Sequence, residues 1–297
     1  MEGIQRRARH TWPLLLTLLA LVAIIAAACG GDDDDDDTNG DTTPETTATQ
    51  ASGDTATPEA HTQYPVKVTD LLGREVEIKA KPESVVAISP TAVEYVYAVG
   101  GKVVGRVSSA DDPPEAQQAK DVGTAYQPSF ETILSLKPDL VIADSVIHAG
   151  NEYRQPLDQL GVPVVYAGAE SYDQVLEGLK LVGTIFDAQA KADEVIANVE
   201  QARDEAKLAV SKNKVTAVAM IAGRDQTLYA AKDNSYVGDI LKQAGIENPA
   251  ASQPDAGPFP GYSTLAPEKL IEYNPDIIFT ITPGPPEVPR LSTLVPQ

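Results

Sequence analysis

Three hydrophobic patterns follow one another along this chain of 297 residues. Residues 14–28 form one apolar run, residues 32–63 hold no large aliphatic side chain, and from Val66 onward short apolar runs alternate with amphipathic stretches. The third part predicts a β-hairpin first: Val66-Lys67-Val68, a turn over residues 70–73, then Val76-Glu77-Ile78. Residues 85–88 read as a buried strand, because a short continuous apolar run suits a sheet covered on both faces. A helix over residues 91–99 follows and stops at Gly100-Gly101. Further strands are expected at 102–107, 140–143 and 164–167, with a helix at 152–160. Residues 172–186 form an amphipathic helix, after which Asp187 should cap a second one running to about Val210. Its apolar stripe is Val195, Val199, Ala202, Ala206 and Ala209, at alternating spacings of four and three. At 1.5 Å per residue that segment is about 36 Å long, enough for a stiff strut between two bodies. A strand at 215–221, a helix at 236–244 and a strand at 277–281 complete the pattern.

The chain also repeats itself. Residues 130–142 and 267–279 align at an offset of 137 and share a glutamate (Glu131, Glu268), a proline (Pro138, Pro275) and an aspartate (Asp139, Asp276). Each copy reads as a short helix ended before its proline, then a buried strand. Strands alternating with helices imply an α/β fold with largely parallel sheets, and a repeat this long implies two similar lobes, not a solenoid. The expected boundaries are 64–170 for the first lobe, 171–211 for the inter-lobe helices and 212–297 for the second. By symmetry the second lobe is expected to be incomplete at its C-terminal end, short of one helix and one strand.

Charge changes the picture at the N-terminal side. Arg6, Arg7 and Arg9 precede the apolar run, which at about 15 residues is short for a bilayer core needing roughly 20; residues 1–28 therefore read as an export signal. The single cysteine, Cys29, follows Ala26-Ala27-Ala28 and precedes Gly30. That stretch resembles a bacterial lipoprotein signal, which implies a lipid on the Cys29 sulfur and attachment to the outer face of the cytoplasmic membrane. Residues 29–63 carry the run Asp32–Asp37 and no Lys or Arg, so they read as a self-repelling, disordered tether. The whole chain has 23 basic and 43 acidic residues, and residues 64–297 keep a net charge near −12. A negative surface argues against nucleic acid and suits a cationic or neutral partner.

Several motifs in order are similar to the ferric-siderophore and cobalamin binding proteins of ABC importers. They are Val68-Thr69-Asp70 with Gly73-Arg74, Ile88-Ser89-Pro90, Val104-Gly105-Arg106-Val107 with Asp112-Pro113-Pro114-Glu115, and Val122-Gly123 leading into Phe130-Glu131 and Lys137-Pro138-Asp139-Leu140-Val141. The resemblance covers about residues 66–283. It implies a class III substrate-binding protein: two Rossmann-like lobes joined by a long helix, ligand in the cleft, and no catalysis. It also implies one glutamate per lobe docking onto arginines of a permease dimer that works with a cytoplasmic ATPase. Those acids fall on Glu131 and Glu268. Both would lie in a first helical turn, where the helix dipole favours an acid on its own account.

Ligand contacts are expected on loops at the carboxyl ends of the strands: Ser89, Pro90, Ser109, Tyr126, Arg224, Phe259 and Tyr262. Tyr126 and Tyr262 are expected to face each other across the cleft, with Arg224 meeting an anionic chelate oxygen or making a surface ion pair. No direct metal site is expected, since His10, His61 and His148 are scattered and His148 reads as a loop residue. The ligand is then a nutrient already chelated, a ferric siderophore first and cobalamin or haem next, taken up by a monomer with no cofactor. A sensor or co-receptor of the same fold is the alternative. An exported hydrolase lacks a nucleophile elbow and a histidine set to serve it.

Overall fold

A computed structural model describes residues 61–223, 226–257 and 259–281 of the chain. In chain order its elements are β1 (Val66–Thr69), β2 (Glu75–Ile78), β3 (Val85–Ala87), α1 (Pro90–Ala98) and β4 (Gly105–Arg106). Then come β5 (Lys120–Asp121), β6 (Gly123–Thr124), β7 (Gln127–Pro128), α2 (Phe130–Ser135), β8 (Leu140–Ala143), α3 (Asn151–Asp158) and β9 (Val164–Tyr166). Two long helices, α4 (Tyr172–Ile185) and α5 (Gln189–Ser211), precede the second lobe. That lobe consists of β10 (Ala217–Ala222), β11 (Leu228–Ala231), α6 (Tyr236–Gln243), β12 (Tyr262–Thr264), α7 (Pro267–Tyr273) and β13 (Ile277–Ile281). The signal, Cys29 and nearly all of the expected tether lie outside the described residues, as does everything expected after Ile281.

The first lobe has the expected parallel sheet, in the order β5-β4-β3-β8-β9. Val85, Val86, Leu140, Val141 and Ile142 are wholly buried, as strands covered on both faces must be. The second sheet, in the order β12-β11-β10-β13, keeps the parallel pairing only between β10 and β13. β11 and β12 run antiparallel, where a largely parallel sheet was expected. The physical reason is the short connection: residues 223–227 join β10 to β11, too few for the crossover that parallel strands need. Its two faces feed separate cores, Val218 and Met220 on one and Ala217 and Ala219 on the other.

The repeated segments occupy equivalent places. Each short helix, α2 or α7, ends in a residue of left-handed backbone, Lys137 (φ 50°) or Asn274 (φ 43°), ahead of its proline. The following aspartate pins the next strand to a parallel neighbour. Asp139 accepts the N–H groups of Glu83 and Ser84 just before β3, and its own N–H donates to the Ser84 carbonyl. Asp276 accepts the Thr216 N–H and hydroxyl just before β10, at 2.8 and 2.9 Å. β8 then pairs with β3, and β13 with β10.

The hairpin β1–β2 turns on Asp70, whose buried carboxylate accepts from Leu72 N–H, Arg74 N–H and Arg74 Nε. Gly73 supplies the positive φ (75°) this turn requires. Arg74 then lies 4.3 Å over the Tyr166 ring and donates to the Val164 carbonyl, locking the hairpin onto β9.

Two expectations about the long helix fail. Asp187 does not cap α5: it sits in left-handed backbone (φ 49°), and Ala188 precedes the helix with no side-chain cap. The Asp187 carboxylate is taken by the Thr62 N–H, while the Thr62 hydroxyl donates to the Thr184 carbonyl. The apolar stripe is real only in its first half. Ala192 and Ile196 are buried, but Ala202, Ala206 and Ala209 are exposed, because lobe 1 and α4 cover only that first half of the helix. On β13, at the edge of the second sheet among the described residues, Ile277, Ile278 and Phe279 are exposed by 40–43%.

Removing a carboxylate that neutralises a half-buried guanidinium leaves an uncompensated charge. Asp70→Ala is expected to lower unfolding stability by about 3 kcal/mol in urea titration. Asp276→Ala, which removes exposed bonds, should lower it less; equal losses would show that the Asp70 network carries no special weight.

Candidate functional site

Glu131 and Glu268 sit at the second position of α2 and α7, each in a first turn, and both are exposed. Ser129 caps α2 by accepting the Thr132 N–H, and α7 starts on Pro267, whose missing N–H costs nothing there. Neither glutamate has an ion pair or a hydrogen bond to a described residue. The repeat thus presents one unneutralised carboxylate per lobe.

The expected ligand residues separate into three places. Ser89 is fully buried and its hydroxyl accepts the Ala92 N–H, which caps α1; Pro90 is the first residue of that helix. Tyr126 is 67% exposed at the β6–β7 turn, and its carbonyl accepts the Tyr153 hydroxyl. Phe259 and Tyr262 meet edge to face at 6.1 Å, and Phe259 meets Tyr229 at 5.3 Å. No ring contact joins Tyr126 to Tyr262 among the described residues. Ser109 is exposed, and Arg224 lies outside the described residues.

Between the lobes a different group comes together. Tyr95 of α1 lies against Gly178 of α4, where a side chain would collide with the ring: a Cβ there would come within 2.7 Å of it. The Tyr236 phenol, on α6 of lobe 2, is close enough to act on the Tyr95 phenol. Burial, then Tyr236, Asp144 and Glu94, push the Tyr95 phenol well above its ordinary range. Burial followed by Asp112 raises the Glu94 carboxyl, and burial followed by Glu94 and Asp239 raises the Tyr236 phenol. Asp239 accepts the Tyr172 N–H at 2.7 Å, a bond from lobe 2 to the first turn of α4. A carboxylate there also complements the helix dipole. The loops carrying Asp112 and Asp144 and the head of α1 all follow strands of the parallel sheet, the side on which open α/β sheets bind ligands.

His148 is a turn residue, as its place in the sequence suggested, but a wholly buried one. Its Nδ1 accepts the Asp144 N–H at 2.9 Å and its Nε2 donates to the Ala125 carbonyl at 2.7 Å. A backbone N–H can only donate and a carbonyl only accept, so the ring is neutral with its proton on Nε2. Tyr153 abuts it edge-on at 5.1 Å. The imidazole thereby ties the β6–β7 turn, which bears Tyr126, to the end of β8. Among the described residues no group of three or more His, Cys, Asp or Glu is placed to hold a metal ion.

Two α/β lobes with long helices between them match a known architecture. A periplasmic binding protein family model matches residues 85–288. The chain belongs to that family. It is one of solute-binding proteins, and the relatives vary in what they are named for. An uncharacterised ABC transporter substrate-binding lipoprotein of Bacillus subtilis is 28% identical over 225 residues, covering 73% of this chain and 69% of the relative. A vitamin B12-binding protein of Pectobacterium atrosepticum is 31% identical, over 57% of this chain and 62% of the relative. The chain thus spans about two thirds of the length of these curated relatives. Among solved structures, an iron-uptake ABC transporter substrate-binding protein from Streptococcus pneumoniae superposes with a TM-score of 0.63 at 20% identity, covering 74% of this chain and 78% of that one. A catecholate-siderophore binding protein of Vibrio cholerae also gives 0.63, at 19% identity over 73% and 78%. At those identities the structures speak for the fold of the family, which this chain shares.

Burial lowers the His148 pKa below its ordinary 6.5, more than the Ala125 bond and Asp144 raise it. The unfolded chain therefore binds the extra proton more readily, and stability present above pH of about 6.5 is lost as the pH falls below it. The melting temperature is expected to drop between about pH 7 and pH 5. His148→Phe should flatten that slope while costing about 1–3 kcal/mol at neutral pH, from the orphaned Asp144 N–H and Ala125 carbonyl. An unchanged slope in the variant would assign the titration to another group.

Proposed function

We propose that this protein is an extracytoplasmic solute-binding lipoprotein that captures a chelated metal nutrient between its lobes and hands it to an ABC permease. The ligand class is a ferric siderophore first, with cobalamin or haem next. The observation that carries the reading is the pair Glu131 and Glu268: equivalent helices, equivalent first turns, both acids exposed and unpaired. A two-fold permease offers each lobe the same surface, and carboxylates dock onto guanidinium groups with defined geometry. Membership of a solute-binding family supports the same reading, as do relatives named for B12, ferric citrate and siderophores. In this reading Cys29 carries the lipid anchor and the protein works as a monomer beside a permease dimer and its ATPase. Tyr126, Phe259 and Tyr262 are aromatic surfaces for a bulky ligand, Arg224 is a candidate contact for its polar edge, and Ser89 and Pro90 fix the head of α1.

A sensor of the same fold would also bind ligand but would not need both acids. In the source organism, Glu131→Arg combined with Glu268→Arg is expected to reduce uptake of the bound chelate at least about tenfold, since two charge pairs become repulsive. Calorimetric affinity of the purified variant for that chelate should be unchanged. Intact uptake with intact binding would remove the docking role and favour the sensor.

A further inference from the structure

The repeat carries more than its acids. From residue 131 to residue 137 the order of exposed, half-buried and buried positions is the same, step for step, as from 268 to 274. Both helices therefore stand on their lobes in one orientation and offer one face to water. Ile133 and Leu270 are the buried anchors of that orientation. Three residues after each glutamate, on the same face of the helix, an aliphatic side chain stands in water. It is Leu134, 49% exposed, after Glu131, and Ile271, 74% exposed, after Glu268.

A single exposed leucine or isoleucine is ordinary on a protein surface. This one recurs at the same step of two segments that share only a glutamate, a proline and an aspartate. Leu134 is exposed in the lobe where β8 has a strand on either side, so a missing neighbour at a sheet edge does not explain it. The residues next to the pair that share its exposure, Ser135 and Glu272, are polar and satisfied within their own helix. The Ser135 hydroxyl donates to the Thr132 carbonyl, and Glu272 pairs with Lys269 at 2.7 Å. What each helix still offers is one unpaired carboxylate and, one turn on, one aliphatic side chain. An occupant must match both. A guanidinium answers the acid, and an apolar seat beside it answers the leucine or isoleucine. A second copy of this chain would set acid against acid, and an anionic membrane surface would repel the face. A two-fold assembly presents the same seat to both lobes, as the duplication requires.

We propose that Leu134 and Ile271 are docking residues: each enters an apolar seat on one subunit of the permease dimer, beside the cation that receives the neighbouring glutamate. This deepens the docking reading of Glu131 and Glu268 and rests on it. The acids steer the approach and set the register, whereas the aliphatic pair slows departure once water is excluded.

In the source organism, uptake is followed with metal-labelled ferrioxamine B, ferric citrate, ferric enterobactin and cyanocobalamin, and read for whichever of them the parent carries. Leu134→Gln and Ile271→Gln are each expected to cut uptake about threefold, and the two together about tenfold. Leu208→Gln, at another exposed aliphatic position, on α5, should leave it as in the parent. The purified double variant should melt with the parent, since both side chains already face water, and bind the same chelate with the parent's affinity by calorimetry. Benzoylphenylalanine at position 134 or 271, but not at 208, should cross-link under ultraviolet light to the permease subunit of an ABC importer, identified by mass spectrometry. Suppose the double variant keeps uptake within about twofold of the parent while Glu131→Arg with Glu268→Arg loses about tenfold. Docking then belongs to the acids alone, and the aliphatic role is overturned. Cross-linking to a second copy of the chain, or a parent that sediments as a dimer and a double variant that sediments as a monomer, overturns it too. Intact uptake in both pairs of variants, with chelate binding intact, would instead remove the docking reading itself. A parent that carries none of the four chelates would count against solute binding.

Discussion

Parallel strands cannot be joined by a tight turn, so their register must be set by something other than a hairpin. In both lobes that something is an aspartate. Asp139 and Asp276 each stand at the entrance of a strand and accept backbone N–H groups from the entrance of its parallel neighbour. The proline before each aspartate keeps the chain from continuing as helix, and the left-handed residue before the proline reverses its direction within one step. A short helix, a turn and a strand are thereby delivered as one unit, twice. The exposed acids Glu131 and Glu268 inherit their equivalence from this unit, because each lies eight residues ahead of the clamp on a helix whose end the turn defines.

What was legible in the sequence follows the same division. The run 140–143 reads as a covered strand because Val141 and Ile142 are β-branched and Pro138 stands just ahead of it, and the repeat could be aligned because its proline, aspartate and glutamate are read in one dimension. The hairpin at Asp70 was legible for the same reason: its carboxylate serves N–H groups two and four residues ahead. β11 was not, since Leu228-Tyr229-Ala230-Ala231 is too short an apolar run for periodicity to tell strand from helix. The stripe on α5 was over-read, since an alanine contributes to a pattern whether or not a neighbour covers it. Asp187 looked like a helix cap because caps favour aspartate, but the Thr62 N–H claims its carboxylate.

The inter-lobe group was illegible for a stronger reason. Glu94 and Tyr95, Asp112, Asp144 and Tyr236 come from four separated segments, and no spacing relates them. Within α1, Tyr95 reads as an ordinary core aromatic; only the bare backbone of Gly178, more than eighty positions away, shows that its oxygen has been given room. The tyrosines that could be picked from loops, Tyr126 and Tyr262, lie apart instead: the Tyr126 carbonyl accepts the Tyr153 hydroxyl in lobe 1, and the Tyr262 ring meets Phe259 in lobe 2. A residue's exposure can be guessed from its own neighbourhood, whereas a cleft is a property of two neighbourhoods at once.

The acids of this chain do different work because water treats them differently. At Glu131 and Glu268 the carboxylates are solvated, so keeping them charged and unpaired costs the fold little, and they remain available for a partner. Between the lobes Glu94 has a second acid, Asp112, within reach, and burial followed by that charge raises its carboxyl. The fold holds that arrangement together from lobe 2. Asp239 and Tyr236 are three residues apart on α6 and therefore share one face of it. The Asp239 bond to the Tyr172 N–H fixes α6 on α4, and Arg203 of α5 lies 5.2 Å over the Tyr172 ring. The clamp that joins the lobes and the phenol that faces Glu94 are thus carried on a single turn of helix, so the spacing of the acidic group is set by the same contact that sets the spacing of the lobes.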